Sequence, residues 1–412
     1  MVAPLLLLLP LVFTPSPIKA ATQWTGMNQA GMEFCLSDTA PTGFNSPGCD
    51  PGTMGEHYFG PANSSLDNFR KLGSNVVRVP LSWERLQPVL NGPLTSDYAA
   101  YVDSLITRET TNGSLFVIDI HNYGRYKGLQ LGSVDVPYDA FYNLWEQLAN
   151  KYKGNEKVVF GLMNQPGGTL QAPAGPSIQE WWGTIYNTAI QRIRATGATN
   201  RILVQATCKA FGQNFFSDTC GVGGISNAEG ALSLSDPLGK TSIDIHQFIN
   251  TDRNGGSGEC THDFIPILNP ITTYLRAHQK TAWLGEFGVG WSDTCIASLS
   301  SLMTYLSDNS DVWPGWIYWV AGPAWGDPRN GGYAFSVEPP ASGVGERPQV
   351  TVIKSYFVDK DLANKQTNNT VEDQERKPSG TGSGSGARGR VVGAGWMVGM
   401  LVGVFGVVAL LL

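Results

Sequence analysis

Between residues 24 and 358, short runs of apolar and β-branched residues alternate with longer stretches whose apolar positions recur every three or four residues. The runs "SNVVRVPL" (74–81), "SLFVIDIH" (114–121), "KVVFGLMNQ" (157–165), "RILVQAT" (201–207), "SIDIHQF" (242–248), "TAWLGEFG" (281–288) and "GWIYWVAG" (315–322) read as buried strands. A first strand near 24–34 makes eight. Helices are predicted over 95–113, closed by Asn112-Gly113, and over 138–155, where Phe141, Leu144, Trp145, Leu148 and Tyr152 share a face. The segment 177–197 opens on a Ser177 cap and closes on Gly197, and further helical runs lie near 262–279, 294–308 and 350–358. Residues 208–241 have weak periodicity and read as a loop. Eight strands, most followed by a helix, predict an α/β fold with a parallel sheet closed into a (β/α)8 TIM barrel.

The two ends follow different rules. Residues 1–20 hold a short apolar run, "LLLLLPLVF", and finish on small residues, the pattern of a secretory signal peptide. Residues 361–390 form a polar linker ending in "PSGTGSGSGARGR", and 391–412 are an uncharged apolar tail. Small residues, a polar spacer and an apolar end together predict a GPI-anchor signal, with attachment in Ser379–Ser385. One transmembrane helix is the alternative, but Arg388 and Arg390 would then flank it on the outside. The expected product is secreted to the cell surface or cell wall, monomeric, and tied to the membrane only through this anchor. Residues 22–360 would form the barrel.

Six cysteines in a secreted chain suggest disulfides. Of fifteen connectivities, sequential pairing (Cys35–Cys49, Cys208–Cys220, Cys260–Cys295) is the expectation. No pair has C-x-x-C spacing, which argues against a zinc or redox centre. Sequons at Asn63, Asn112 and Asn368 suit an extracellular surface. A net charge of −6 with no basic cluster excludes nucleic acid as a natural partner.

In such a barrel, chemistry sits at the C-terminal ends of the strands. There the sequence places Arg78 on the second strand, His121 on the third and Asn164-Gln165 on the fourth. His246 ends the sixth, Glu286 the seventh, and Trp319 lies on the eighth. Any one of these has a bland structural reading. Six at predicted strand ends point to a shared site.

The stretches "NVVRVPLSWERLQP" (75–88), "VIDIHNYGRY" (117–126), "GLMNQP" (161–166), "IHQF" (245–248), "WLGEFG" (283–288) and "YWVAGPAWGD" (318–327) resemble the fungal endo-β-1,4-glucanases of glycoside hydrolase family 5. The resemblance runs in order through most of residues 24–358. It implies a (β/α)8 barrel, β-linked glucans or mannans as substrates, no cofactor and no metal. It also implies a retaining mechanism, which needs two carboxyl groups roughly 5–5.5 Å apart. Glu286 falls at the nucleophile position, with Arg78 keeping it ionised. Asn164 is expected to bond the sugar 2-hydroxyl, and His121, Tyr123, His246, Trp319 and Trp325 to line the substrate groove.

Three positions depart from the pattern. Gln165 stands where the family has its acid/base Glu. Gly167 stands where it has His. Phe248 stands where it has a Tyr whose hydroxyl orients the nucleophile. An amide has the shape of a carboxylic acid without its proton. The resemblance therefore implies a β-glucan-binding protein with hydrolysis lost or severely reduced. The competing reading is an active endoglucanase or transglycosylase with a substitute carboxylate, for which Glu180, Asp218 and Glu259 are candidates. A third is a wall protein that uses the barrel only as a scaffold.

Overall fold

The computed structural model describes residues 22–35, 51–167, 170–217, 225–326, 332–340 and 345–358. The expected leader, linker and tail, with Cys49, Cys220, Asp218 and Asn368, lie outside the described residues.

Eight parallel strands close on themselves: β1 (Trp24–Gln29), β2 (Val76–Leu81), β3 (Leu115–Ile120), β6 (Val158–Gly161), β7 (Ile202–Gln205), β8 (Thr241–His246), β9 (Ala282–Phe287) and β10 (Gly315–Ala321), which returns to β1. The (β/α)8 barrel is thus observed. A small hairpin, β4 (Arg125–Tyr126) and β5 (Leu129–Gln130), decorates the loop after β3. The larger outer helices are α3 (Asp97–Thr111), α4 (Tyr138–Tyr152), α5 (Ile178–Ala195), α7 (Ile265–Ala277) and α8 (Asp293–Asp308).

Each strand alternates, as its pleat requires. On β3, Phe116, Ile118 and Ile120 pack outward among the helices. Val117 joins Val76, Val159, Leu203, Trp283 and Ile317 from five other strands in an apolar plug inside the barrel. Two residues further along, the interior turns polar on three of these strands: Arg78 on β2, Asp119 on β3, Gln205 on β7. Glycine is obligatory at the matching place on β9. A Cβ on Gly285 would stand 1.8 Å from Asp244 Oδ1. The register between β8 and β9 slips just beyond it, so that His246 pairs with Glu286. A slip of this kind re-aims the following side chain.

Two short helices escaped the sequence pattern. α1 (Asn63–Lys71) buries only Ser65, Leu66 and Phe69, too few apolar positions to register as a period. α6 (Asn227–Leu232) lies in the region read as loop and is set by a capping box between Ser226 and Glu229. The same device, Ser177 with Glu180, starts α5 where predicted. Asn63 and Asn112 are exposed.

Cys260 and Cys295 form a disulfide that ties the loop after β8 to the first turn of α8. Cys35 and Cys208 are disulfide-bonded as well. The Cys260–Cys295 bridge closes a sequence separation of 35 residues. Replacing both cysteines by alanine is expected to lower unfolding stability by about 3–4 kcal/mol, measured by denaturant titration.

Candidate active site

The polar layer above the apolar plug is organised by one guanidinium. Arg78 is buried and reaches side chains from four barrel segments. Its Nη1 donates to Asn28 Oδ1 and Glu286 Oε1, each at 2.6 Å. Its Nη2 donates to Asn164 Oδ1 at 2.9 Å and lies 3.0 Å from Asp119 Oδ2. Burial alone would push the Arg78 proton off. The charges of Asp119, Glu286 and Asp244 overturn that and raise its pKa further.

A second chain of contacts runs from Asp119. Its Oδ2 is 2.7 Å from His121 Nδ1, and His121 Nε2 is 3.1 Å from Asn164 Nδ2. Burial would raise the Asp119 pKa, but Arg78 and then His121 hold it below the ordinary carboxylate range. Burial would lower the His121 pKa, but Asp119 at contact distance raises it above the usual imidazole value.

The third chain joins β7, β8 and β9. Gln205 Nε2 bonds Asp244 Oδ2 at 2.7 Å and His246 Nε2 at 2.9 Å. Gln205 Oε1 accepts the backbone N–H of Gln165 at 2.6 Å. That bond helps hold Gln165 in the left-handed region, φ 42°, which non-glycine residues avoid. The Gln165 amide nitrogen is 2.9 Å from His246 Nδ1, and the same Nδ1 is 3.2 Å from Glu286 Oε2. Two contacts meeting at one nitrogen place the amide and the carboxylate within about 6 Å of each other, the spacing of a retaining carboxyl pair rather than an inverting one.

Over this layer opens a cleft of about 320 Å³. It is lined by His121, Tyr123, Gln165, Glu286, Trp319 and Trp325, with Lys209, Phe211, Phe248, Asn254 and Tyr333 completing the wall. Trp319 stacks on His121 with centroids 6.0 Å apart, and Trp325 packs edge-on to Trp319 at 5.6 Å. Arg78, His121, Asn164, Gln165, His246 and Glu286 are joined in the polar network, and Tyr123, Phe248, Trp319 and Trp325 stand in the cleft wall.

Residues 20–322 match the cellulase family, glycosyl hydrolase family 5. The chain belongs to that family. It is 32% identical to endo-beta-1,4-glucanase A of Emericella nidulans over 83% of this chain and 95% of the relative. An endo-beta-1,4-glucanase from Xanthomonas axonopodis pv. citri superposes with a TM-score of 0.72 at 33% identity, over 83% of this chain and 99% of that one. XacCel5A, solved in complex with cellopentaose, gives a TM-score of 0.71 at 34% identity, covering 81% and 99%.

Against that family background the three departures acquire surroundings. Gly167 has φ 153°, and a Cβ there would come 2.9 Å from the Cys208 backbone nitrogen, so a side chain at 167 is shut out by the loop after β7. Phe248 stacks on Phe335 with centroids 5.9 Å apart. Its lost hydroxyl was expected to leave Glu286 without an orienting donor. Both Glu286 oxygens nevertheless have partners, Arg78 on one and His246 on the other. Two of the three substitute carboxylates are occupied elsewhere. Glu180 caps α5, and Glu259 accepts from Ser257 Oγ and the Thr251 backbone. Among the described residues, Glu286 is the only carboxylate lining the cleft.

Sequence reasoning missed Asn28, Asp119, Gln205 and Asp244. A signal was present. "DIH" occurs at both 119–121 and 244–246, and period-two spacing puts each Asp on the same barrel-interior face as its His. It also missed Glu33, which is 1% exposed and whose Oε2 accepts the Gly31 N–H at 2.7 Å. Its Oε1 has no partner, and burial raises its pKa to about 7.

Two titrations test this layer. Asp119→Asn should lower the His121 pKa, read from its imidazole resonances, because the anion that raises it is gone. Glu33 has a folded pKa above its unfolded one, so its neutral form suits the fold and stability drains away as pH rises from about 4.5 through 7. The stability of Glu33→Gln relative to wild type should therefore increase between pH 5 and pH 8 in denaturant titrations.

Proposed function

We propose that this protein is a secreted, cell-surface member of glycoside hydrolase family 5 that binds β-glucan and has lost most or all hydrolytic activity. The observation that carries the reading is the Gln165 amide at the spacing of a retaining carboxyl pair from Glu286. Retaining hydrolysis requires the partner of the nucleophile first to protonate the departing glycosidic oxygen and then to deprotonate water. An amide does neither. The amide nitrogen rests 2.9 Å from His246 Nδ1, and neither end of an amide offers an acidic proton or a basic oxygen at neutral pH.

Glycan contacts do not depend on that proton. Trp319, Trp325 and Tyr333 offer flat apolar faces of the kind sugar rings stack on. Asn164, the residue expected to bond the sugar 2-hydroxyl, is buried in the polar layer and held there by Arg78 and His121. The relative XacCel5A, solved with cellopentaose, supports a β-1,4-linked glucan chain as the occupant. Glu286, as the position of the nucleophile, stays paired with Arg78 and has no acid to work with. The apolar C-terminal tail supports attachment at the cell surface.

The test is reducing-sugar release from soluble mixed-linkage β-glucan by the wild-type protein and by Gln165→Glu. Release by wild type is expected to be negligible. Restoring the acid is expected to raise the rate by about 10²-fold or more, the usual worth of a general acid/base. A wild-type rate of about 1 s⁻¹ or higher, ordinary for an enzyme, would overturn the reading.

A further inference from the structure

The cleft wall carries a cation that the polar layer does not use. Glu286 is already matched by Arg78 and His246. Lys209 lines the same cleft, and its ammonium forms no hydrogen bond or ion pair among the described residues. An unpaired lysine on an open surface would mean little. Lys209 is exposed, but its backbone is held in an unusual conformation at the cleft edge.

Cys208, Lys209 and Ala210 have φ of 63°, 59° and 59°. Three successive non-glycine residues in the left-handed region are costly, and such strain persists only where the surroundings impose it. Here the surroundings are identifiable. Cys208 is anchored by a disulfide. The Lys209 N–H reaches Pro166 O at 3.4 Å, directly after Gln165. The bare face of Gly167 admits the Cys208 and Lys209 backbone, where a Cβ would come within 2.9 and 3.1 Å of their nitrogens. The glycine, the disulfide and the strained turn together place a lysine beside the amide at 165.

We infer that the sugar subsite beside Gln165 takes a β-linked glycan bearing an anionic group, a uronate carboxylate, which Lys209 pairs with. The inference rests on the glycan-binding reading of the cleft given above. The aromatic wall calls for a ring with an apolar face. The unmatched cation calls for a negative charge on that ring. The protein's net charge of −6 repels acidic ligands in general, so a placed cation is what would admit one. Lysine suits the task as a compact point charge on a flexible stem, able to follow a carboxylate at C6 without the bidentate geometry that arginine imposes.

The experiment is calorimetric titration of the full-length protein with cellopentaose and with the same pentaose oxidised at C6 to glucuronate, in 20 mM and 500 mM salt. At low salt the acidic oligosaccharide is expected to bind about fivefold tighter, the worth of one solvent-accessible ion pair. At high salt the ratio should fall toward one as the pair is screened. Lys209→Gln should bring the two affinities together, and Lys209→Arg should keep the preference. Equal affinities in wild type, or a preference that survives Lys209→Gln, would overturn the inference while leaving the cleft a glucan-binding site. Failure of both oligosaccharides to bind would overturn both readings.

Discussion

Arg78 is the constraint around which the upper barrel is built. A guanidinium this deeply buried is tolerable only with its charge matched and its donors filled. Asn28, Asp119, Asn164 and Glu286 supply that from β1, β3, the end of β6 and β9. Each partner is in turn held by something else: Asn28 by the Gly285 carbonyl, Asp119 by His121, Asn164 by His121 and Gln205. The arrangement leaves little freedom in where Glu286 can lie. Removing the arginine would strand at least two buried carboxylates, a change of about 3–5 kcal/mol for a broken buried pair. Fold stability and the position of Glu286 in the cleft are therefore the same physical fact. A chain that drifts away from hydrolysis has no easy route to discarding this layer.

The three positions read from the sequence as departures sit where that constraint does not reach. Gln165, Gly167 and Phe248 lie at the ends of strands or beyond, and none of them touches Arg78. Phe248 belongs to an aromatic cluster with Phe211, Trp319 and Phe335. Gly167 yields its space to the Cys208 turn. These are local solutions, each compatible with its neighbours, and they reshape the rim of the cleft without disturbing its floor.

Much of this was legible in the sequence because a TIM barrel makes strand ends and function coincide. Buried parallel strands read as apolar runs, and the polar residue that terminates each run falls at the catalytic face. Arg78, His121, Asn164, His246 and Glu286 were found that way. What stayed hidden was the interior polar layer one step lower. Asp119 and Asp244 stand inside runs that look continuously apolar, and only a period-two reading separates the face they share from the face of their neighbours. The turn at Cys208–Ala210 was not legible at all. No local residue preference places Cys, Lys and Ala in the left-handed region. The conformation comes from a disulfide and a close approach to Gly167, both of which are tertiary. α1 and α6 were missed for the converse reason, since a helix of two turns has too few buried positions to show a period.

The identity of the amide matters beyond the proton it lacks. Two carboxyl groups at this spacing cannot both ionise freely, and the mutual repulsion is what holds one of them protonated in a working retaining enzyme. With an amide at 165, the ion-pair partners of Glu286 among the described residues are Arg78 and His246. Its oxygens are held from β2 and β8, so its place in the cleft is fixed by geometry. Among the described residues that line the cleft, Lys209 is the one lysine or arginine, and it stands at the edge rather than in the polar layer. On the proposed reading, the amide at 165 and the lysine at 209 act together at one edge of the cleft, the first withholding a proton and the second offering a charge to a ligand.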